Sequence, residues 1–241
     1  MTQNIYDNQA FFDGYAQLRS QFDFEAAPEW PAIEMMLPDL CGKQVIDLGC
    51  GYGWFCRRAR EAGAAGVVGI DLSEKMLSRA RELTNDNGIC YQRGDLSLLT
   101  LPAQAYDLAY SQLATHYLPD IVPLITALYE ALRPGGWLIF TTEYPIYTSP
   151  VRKGWIADDE GQRSWAVNNY QNEGDRVNNW LADEVVKYHR TLGATLNVLM
   201  NAGFTLRHVN EWGPTTEQIY TNADLVEEAK RPMMVLISAQ C

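Results

Sequence analysis

From residue 43 to residue 142, short and almost wholly apolar runs alternate with amphipathic stretches, a pattern that predicts strands and helices in strict succession. Lys43–Leu48 reads as a buried strand that runs into the glycine cluster Gly49–Gly53, and Trp54–Gly63 as the helix after it. Gly66–Asp71 is the second strand, and Ser73 caps a helix through Leu83, with Glu74 in its first turn. Ile89–Gly94 and Tyr106–Ser111 are the third and fourth strands. Ile121–Leu132 is an amphipathic helix that stops at Arg133-Pro134-Gly135-Gly136. Proline cannot continue the helix, and the glycines permit a tight reversal into the fifth strand, Trp137–Thr142. Thr191–Asn201 is helical and ends at Gly203, and Phe204–Glu211 and Met233–Ala239 are strands placed to pair at one sheet edge. This order predicts an α/β domain, a parallel sheet covered on both faces.

Two stretches stand outside the alternation. Ile5–Leu37 reads as helical and precedes the core. Tyr144 to about Arg190 is a long irregular insertion holding Trp155, Trp165, Tyr170, Trp180 and Tyr188 among polar residues. Such a stretch inside a compact domain is more often functional than not, though some of its tryptophans must be ordinary core.

Composition narrows the class. The 241 residues, 47% hydrophobic, suit one large domain or one domain with an insertion. There is no apolar run of membrane-spanning length, and Met1–Phe12 lacks a basic segment followed by an apolar one, so a cytoplasmic address is expected, without membrane insertion. Cys41, Cys50, Cys56, Cys90 and Cys241 form neither a CxxC pair nor a zinc spacing and read as reduced thiols. A net charge of −11 with no basic cluster to offset it makes nucleic acid a poor partner.

The chemistry concentrates at the first loop. Asp47-Leu48-Gly49-Cys50-Gly51-Tyr52-Gly53 carries a strand into a Gly-x-Gly-x-Gly turn, where the backbone can lie against a ligand and the next helix points its free N–H groups at it. A dinucleotide loop would place its third glycine where this chain has Trp54, and Asp47 would repel a pyrophosphate while suiting an ammonium. Asp71, ending the second strand, can accept both hydroxyls of a ribose, since Ser73 already fills the capping role. Asp95 after the third strand is either a loop residue or a ligand contact, with Leu96 placed to pack on a base.

Taken together, Asp47–Gly53, Gly69–Leu77, Arg93–Leu96, Tyr106–Leu118 and Leu132–Phe140 resemble, in order, the motifs of class I S-adenosylmethionine (SAM) dependent methyltransferases. The chain is most similar to the small-molecule branch related to ubiquinone and menaquinone biosynthesis. The resemblance implies a Rossmann-like, seven-stranded, mostly parallel sheet with an antiparallel edge strand and helices on both faces. The whole chain is then one domain: a helical lid over residues 1–40, a SAM-binding core over 41–143, an acceptor-side insertion over 144–190 between strands five and six, and the rest of the core over 191–241. It implies SAM as cofactor, with Asp47, Gly49 and Gly51 at its methionine part, Asp71 on the ribose, Asp95 and Leu96 at the adenine and Ser111 near the sulfonium. Leu72 and Met76 join the same cofactor-binding set. Tyr15 and Arg19 match positions where related enzymes close the lid, Arg19 facing the SAM carboxylate, or they line an exposed helix face.

The acceptor is read by exclusion. Enzymes acting on adenine amino groups carry an acidic residue or Asn before Pro-Pro-aromatic after strand four, where this chain has Ser111-Gln112-Leu113-Ala114. The glutamate pair that holds a protein arginine is missing there, as are the carboxylates with which catechol-type enzymes bind Mg²⁺. The expectation is metal-independent transfer to O or C of a small phenolic or quinone-like acceptor. N-methylation or carboxylate methylation of a small metabolite, and a non-catalytic SAM-binding protein, stand as alternatives. A nicotinamide-dependent oxidoreductase is disfavoured by Trp54. A hydroxyl acceptor benefits from a base. His116, on the carboxyl side of the fourth strand, is one candidate, or else merely walls the cofactor site; His189 at the end of the insertion is the other. His208 reads as structural, and Glu143 and Tyr144 are further acceptor-contact candidates.

Overall fold

In the computed structural model, which describes residues 3–21 and 27–241 (the side chains of 19–21 excepted), an N-terminal segment of a 3-10 turn at Ile5–Asp7, helix α1 (Gln9–Gln21) and helix α2 (Trp30–Glu34) leads into the core. There β1 (Gln44–Leu48), α3 (Trp54–Glu61), β2 (Gly66–Asp71), α4 (Glu74–Glu82), β3 (Ile89–Arg93), β4 (Tyr106–Gln112), α5 (Val122–Ala131) and β5 (Leu132–Glu143) follow the predicted alternation. After a short α6 (Pro145–Thr148) come β6 (Trp155–Ala157), β7 (Arg163–Trp165), β8 (Gly174–Trp180) and β9 (Ala182–His189). The chain closes with α7 (Leu192–Ala202), β10 (Thr205–Glu211), α8 (Thr216–Thr221), α9 (Val226–Lys230) and β11 (Met234–Gln240).

The main sheet has seven strands in the order β10-β11-β5-β4-β1-β2-β3. Pairing is parallel from β5 through β3, and antiparallel pairing is confined to β11, which runs against both β5 and the edge strand β10. Strand pleating sends alternate residues to opposite faces. Ile46 and Leu48 of β1 and Ala109 of β4 therefore join the core under α5 and α7, while Val45, Leu108 and Tyr110 pack under α2 and α3. Helices on both faces follow. Among the described residues no helix is long and apolar enough to cross a membrane.

The structure departs from the sequence reading in two places. Strand β5 begins at Leu132: Tyr106 pairs with Leu132 and Leu108 with Trp137, so Arg133–Gly136 bulge out of the ladder rather than forming a separate turn. The bulge is tied down by Arg133 on Asp107, 2.7 Å away. The insertion, expected to be irregular, consists largely of two antiparallel hairpins, β6–β7 and β8–β9. The inward positions of β8 and β9 include Arg176, Lys187 and His189, all buried, so the two-residue period is written in charged residues.

The N-terminal segment is stitched to both core and insertion. Asp7 accepts from Ser73 Oγ (2.6 Å) and from the Lys75 N–H (3.3 Å) at the start of α4, where a carboxylate also meets the positive end of the helix. Gln3 donates to the Glu184 carbonyl and accepts from the Val186 N–H, both at 2.9 Å, joining the segment to β9. Ile46, fully buried in the centre of the sheet, makes a direct test of this core. Ile46→Ala is expected to lower the unfolding free energy by about 2–5 kcal/mol, read as a fall in the urea midpoint at unchanged slope.

Candidate functional site

Parallel strands that feed connections to opposite faces leave a crevice at their carboxyl ends. Here β1 and β4 are such neighbours: β1 leads toward β2 on one side, β4 toward β5 on the other. The loops after them bound a cavity of about 860 Å³. Gly49, at φ +74°, permits the loops to approach, since a Cβ there would stand 2.5 Å from that of Ala114. Gly51, at φ +53°, faces open space instead. After β4, Leu113 holds a left-handed conformation (φ +52°), fixed by bonds from its N–H to the Thr141 carbonyl and hydroxyl, both 3.1 Å. That strained turn presents His116 and Tyr117 to the cavity.

One end of the cavity is acidic. Asp47, Asp71 and Asp95 all line it, together with Gly49, Gly51, Leu72, Met76 and Leu96. Asp71 accepts from the Gly51 N–H (2.8 Å) and the Ser73 N–H (2.9 Å), locking the glycine loop to the end of β2. Burial raises its pKa to about 6, against these two bonds. Asp47 is pushed up to about 7, chiefly by burial; the Cys56 thiol donates to it at 3.3 Å, and among the described residues no basic side chain offsets its charge. A buried carboxylate left so poorly compensated fits a ligand that brings its own cation. Asp95 caps the turn at Leu96–Leu98 by accepting from the Ser97 N–H at 2.9 Å. Tyr15, almost buried, roofs this end and meets Tyr6 and Tyr52 edge-on at 5.4 and 5.7 Å.

The other end carries His116, Tyr117, Glu143, Tyr147, Lys153, Trp180 and Lys187. Glu143 takes the Lys187 ammonium on one oxygen, while Lys153 stands 3.8 Å from the other. Although burial works to raise Glu143, the charges of His116, Lys187 and Lys153 hold its carboxyl below the usual range. His116 is buried, its Nδ1 has no hydrogen-bond partner among the described residues, and burial lowers it to about 3. Glu143 pulls it back up and the lysines push it down.

The chain matches the methyltransferase domain family over residues 46–140. It is 51% identical to an S-adenosylmethionine dependent methyltransferase of Mesorhizobium loti whose crystal structure superposes with a TM-score of 0.88, covering 91% of this chain and 100% of that one. The chain belongs to the S-adenosylmethionine-dependent methyltransferases. An uncharacterised protein of Haemophilus influenzae is 32% identical over 98% of this methyltransferase and 96% of its own length. A malonyl-[acyl-carrier protein] O-methyltransferase of Salmonella typhimurium is 32% identical over 64% of this chain, which spans 61% of that relative.

Several expected site residues of the methyltransferase stand elsewhere. Ser111 is fully buried and donates to the Leu48 carbonyl at 2.8 Å, tying β4 to β1 behind the cavity wall. His189 is off the wall too, its ring nitrogens engaged by Thr148 Oγ1 (2.6 Å) and the Tyr170 carbonyl (2.9 Å), which gives it a structural place in the insertion. Tyr144 turns from the cavity to donate to Glu211, and His208 is exposed on the edge strand. The side chain of Arg19 lies outside the described residues. Sequence reasoning missed Tyr6, Tyr117, Tyr147, Lys153 and Lys187. For Lys187 a signal existed: it shares one strand face with Val185 and His189, an unusual place for a lysine unless it meets a charge. A histidine lowered to about 3 carries no proton at neutral pH. The His116 ring resonances are accordingly expected to hold their neutral positions from pH 8 down to pH 5 in an NMR titration, and a midpoint near the ordinary 6.5 would show the site to be wetter than drawn.

Proposed function

We propose that this methyltransferase moves a methyl group from SAM to an oxygen, or an activated carbon, of a small phenolic or quinone-like acceptor, with no metal ion. The observation that carries the reading is the continuity of one cavity, acidic where a cationic cofactor would lie and fitted with His116 and aromatic rings where an acceptor would lie. Bound there, SAM supplies an electrophilic methyl on a cationic sulfur. Asp47 holds the ammonium of its amino-acid part, Gly49 and Gly51 let the backbone lie against that part, and Asp71 accepts from the ribose hydroxyls. Asp95 and Leu96 hold the base, Leu72 and Met76 wall it, and Tyr15 covers it. Most of the work is positioning and exclusion of water by this enclosed wall. As the acceptor oxygen gains its methyl and becomes strongly acidic, the neutral His116, a weak base, takes its proton, and the charge of Glu143 stabilises the imidazolium that forms.

Methylation of a carboxylate is the second reading. It is supported by the relatives named malonyl-[acyl-carrier protein] O-methyltransferases and by the two lysines in the acceptor end. A carboxylate needs no base.

Turnover with methyl-labelled SAM against a panel of phenols, hydroquinones and carboxylic acids separates the readings. The first predicts an alkali-stable methyl product, abolished in Asp71→Ala and slowed about 10²–10⁴-fold in kcat by His116→Ala with little change in KM for SAM. An alkali-labile product indifferent to His116→Ala selects the ester, and SAM binding without turnover on any acceptor selects a non-catalytic role.

Affinity for the cofactor carries a pH signature. A carboxylate raised to about 7 must lose its proton to hold an ammonium. SAM binding is therefore complete above about pH 7 and weakens as pH falls through that value, at least about tenfold by pH 5 in calorimetry. A flat profile would remove Asp47 from the cofactor site.

A further inference from the structure

The chain has 30 acidic and 19 basic residues, yet the acceptor end of the cavity holds two lysines against one glutamate. Lys187 is buried and spends its charge on Glu143. Lys153 does not have that satisfaction. Its ammonium makes no hydrogen bond within the described residues; its ion-pair contact is Glu143 at 3.8 Å, and it sits 3.8 Å from the Tyr147 ring centroid. The side chain is only 18% exposed. An ammonium largely shielded from water, with no oxygen acceptor within hydrogen-bond distance, gains when an oxyanion arrives close enough to accept from it. Burial already lowers Lys153 to about 8, the mark of a charge short of partners. Glu143 Oε2 has no hydrogen-bond partner among the described residues and stands 3.8 Å from the ammonium, so it is the competitor that an incoming oxyanion must displace by coming closer.

We infer that the acceptor carries a carboxylate and that Lys153 is the side chain that selects it. The inference rests on the methyltransferase reading proposed above and adds the acceptor's chemical class. Charge favours a carboxylate over a phosphate: Arg231 and Arg176 act on Lys153 but do not line the cavity, and among the lining residues of the acceptor end, with Lys187 offset by Glu143 and His116 neutral, one positive charge is left for a monoanion. Tyr117, Tyr147 and Trp180 around it suit a flat or apolar body attached to that carboxylate. The cavity is then polarised along its length, carboxylates facing the cationic cofactor and an ammonium facing the anionic acceptor.

The test uses the full chain saturated with S-adenosylhomocysteine, titrated by calorimetry with acetate, benzoate, 4-hydroxybenzoate and malonate, each beside its neutral amide, and with inorganic phosphate. At least one acid is expected to bind about tenfold or more tighter than its amide. That preference is expected to vanish in Lys153→Met and to return in Lys153→Arg. No acid outbinding its amide, a preference that survives in Lys153→Met, or phosphate outbinding every carboxylate overturns the inference. S-adenosylhomocysteine binding is read in the same titrations. If it is intact while the acid preference is absent, the Lys153 assignment alone falls; if the wild-type chain does not bind it, the underlying reading falls.

Discussion

The carboxylate of Asp71 is the joint on which the site depends. Its two oxygens accept from Gly51 and Ser73 at 2.8 and 2.9 Å, so a single side chain at the end of β2 fixes the glycine loop after β1 and the start of α4 together. Ser73 in turn donates to Asp7, which brings the N-terminal segment down onto the same point. Acidic wall, helix start and roof are thus set by one short chain of hydrogen bonds. The arrangement is strained electrostatically, because Asp71, Asp47 and Asp7 lie close enough to act on one another and the first two are buried. Such a cluster is tolerable in a site whose ligand is a cation.

The opposite end repeats the device with reversed sign. Lys187 and Lys153 converge on Glu143 from β9 and from the stretch before β6, elements that belong to the insertion. The core contributes only Glu143, at the end of β5, and His116. The sheet core therefore builds the acidic wall, and the inserted stretch supplies the lysines of the basic one. Gln3, bonded to β9 at both its oxygen and its nitrogen, closes the roof between them.

The acidic end of the cavity was legible in the sequence because its signals are local. The run Asp47–Gly53 is strand, acid and turn in consecutive residues, and Asp71 and Asp95 each terminate a strand whose apolar run announces it. Ser111 shows the limit of that logic: it has the right position, but the strand's pleat turns its hydroxyl toward Leu48, and only pairing with β1 decides that. The basic end was not legible. Lys153, Glu143 and Lys187 are far apart in sequence and meet only through the insertion. The β8–β9 hairpin itself was hidden because its buried face carries Arg176, Lys187 and His189 beside a single fully buried apolar residue, Val185. His189 drew attention as a histidine near the site, while its strand-mate two residues earlier reaches the cavity.

The account turns on two oppositely charged walls facing one another across a single cavity. A crystal structure of the chain with S-adenosylhomocysteine tests it most directly. The prediction is a ribose on Asp71, an amino group toward Asp47 and a sulfur turned to the end that holds His116 and Lys153. A ligand bound outside the cavity, or one with its sulfur turned away from His116, would contradict it.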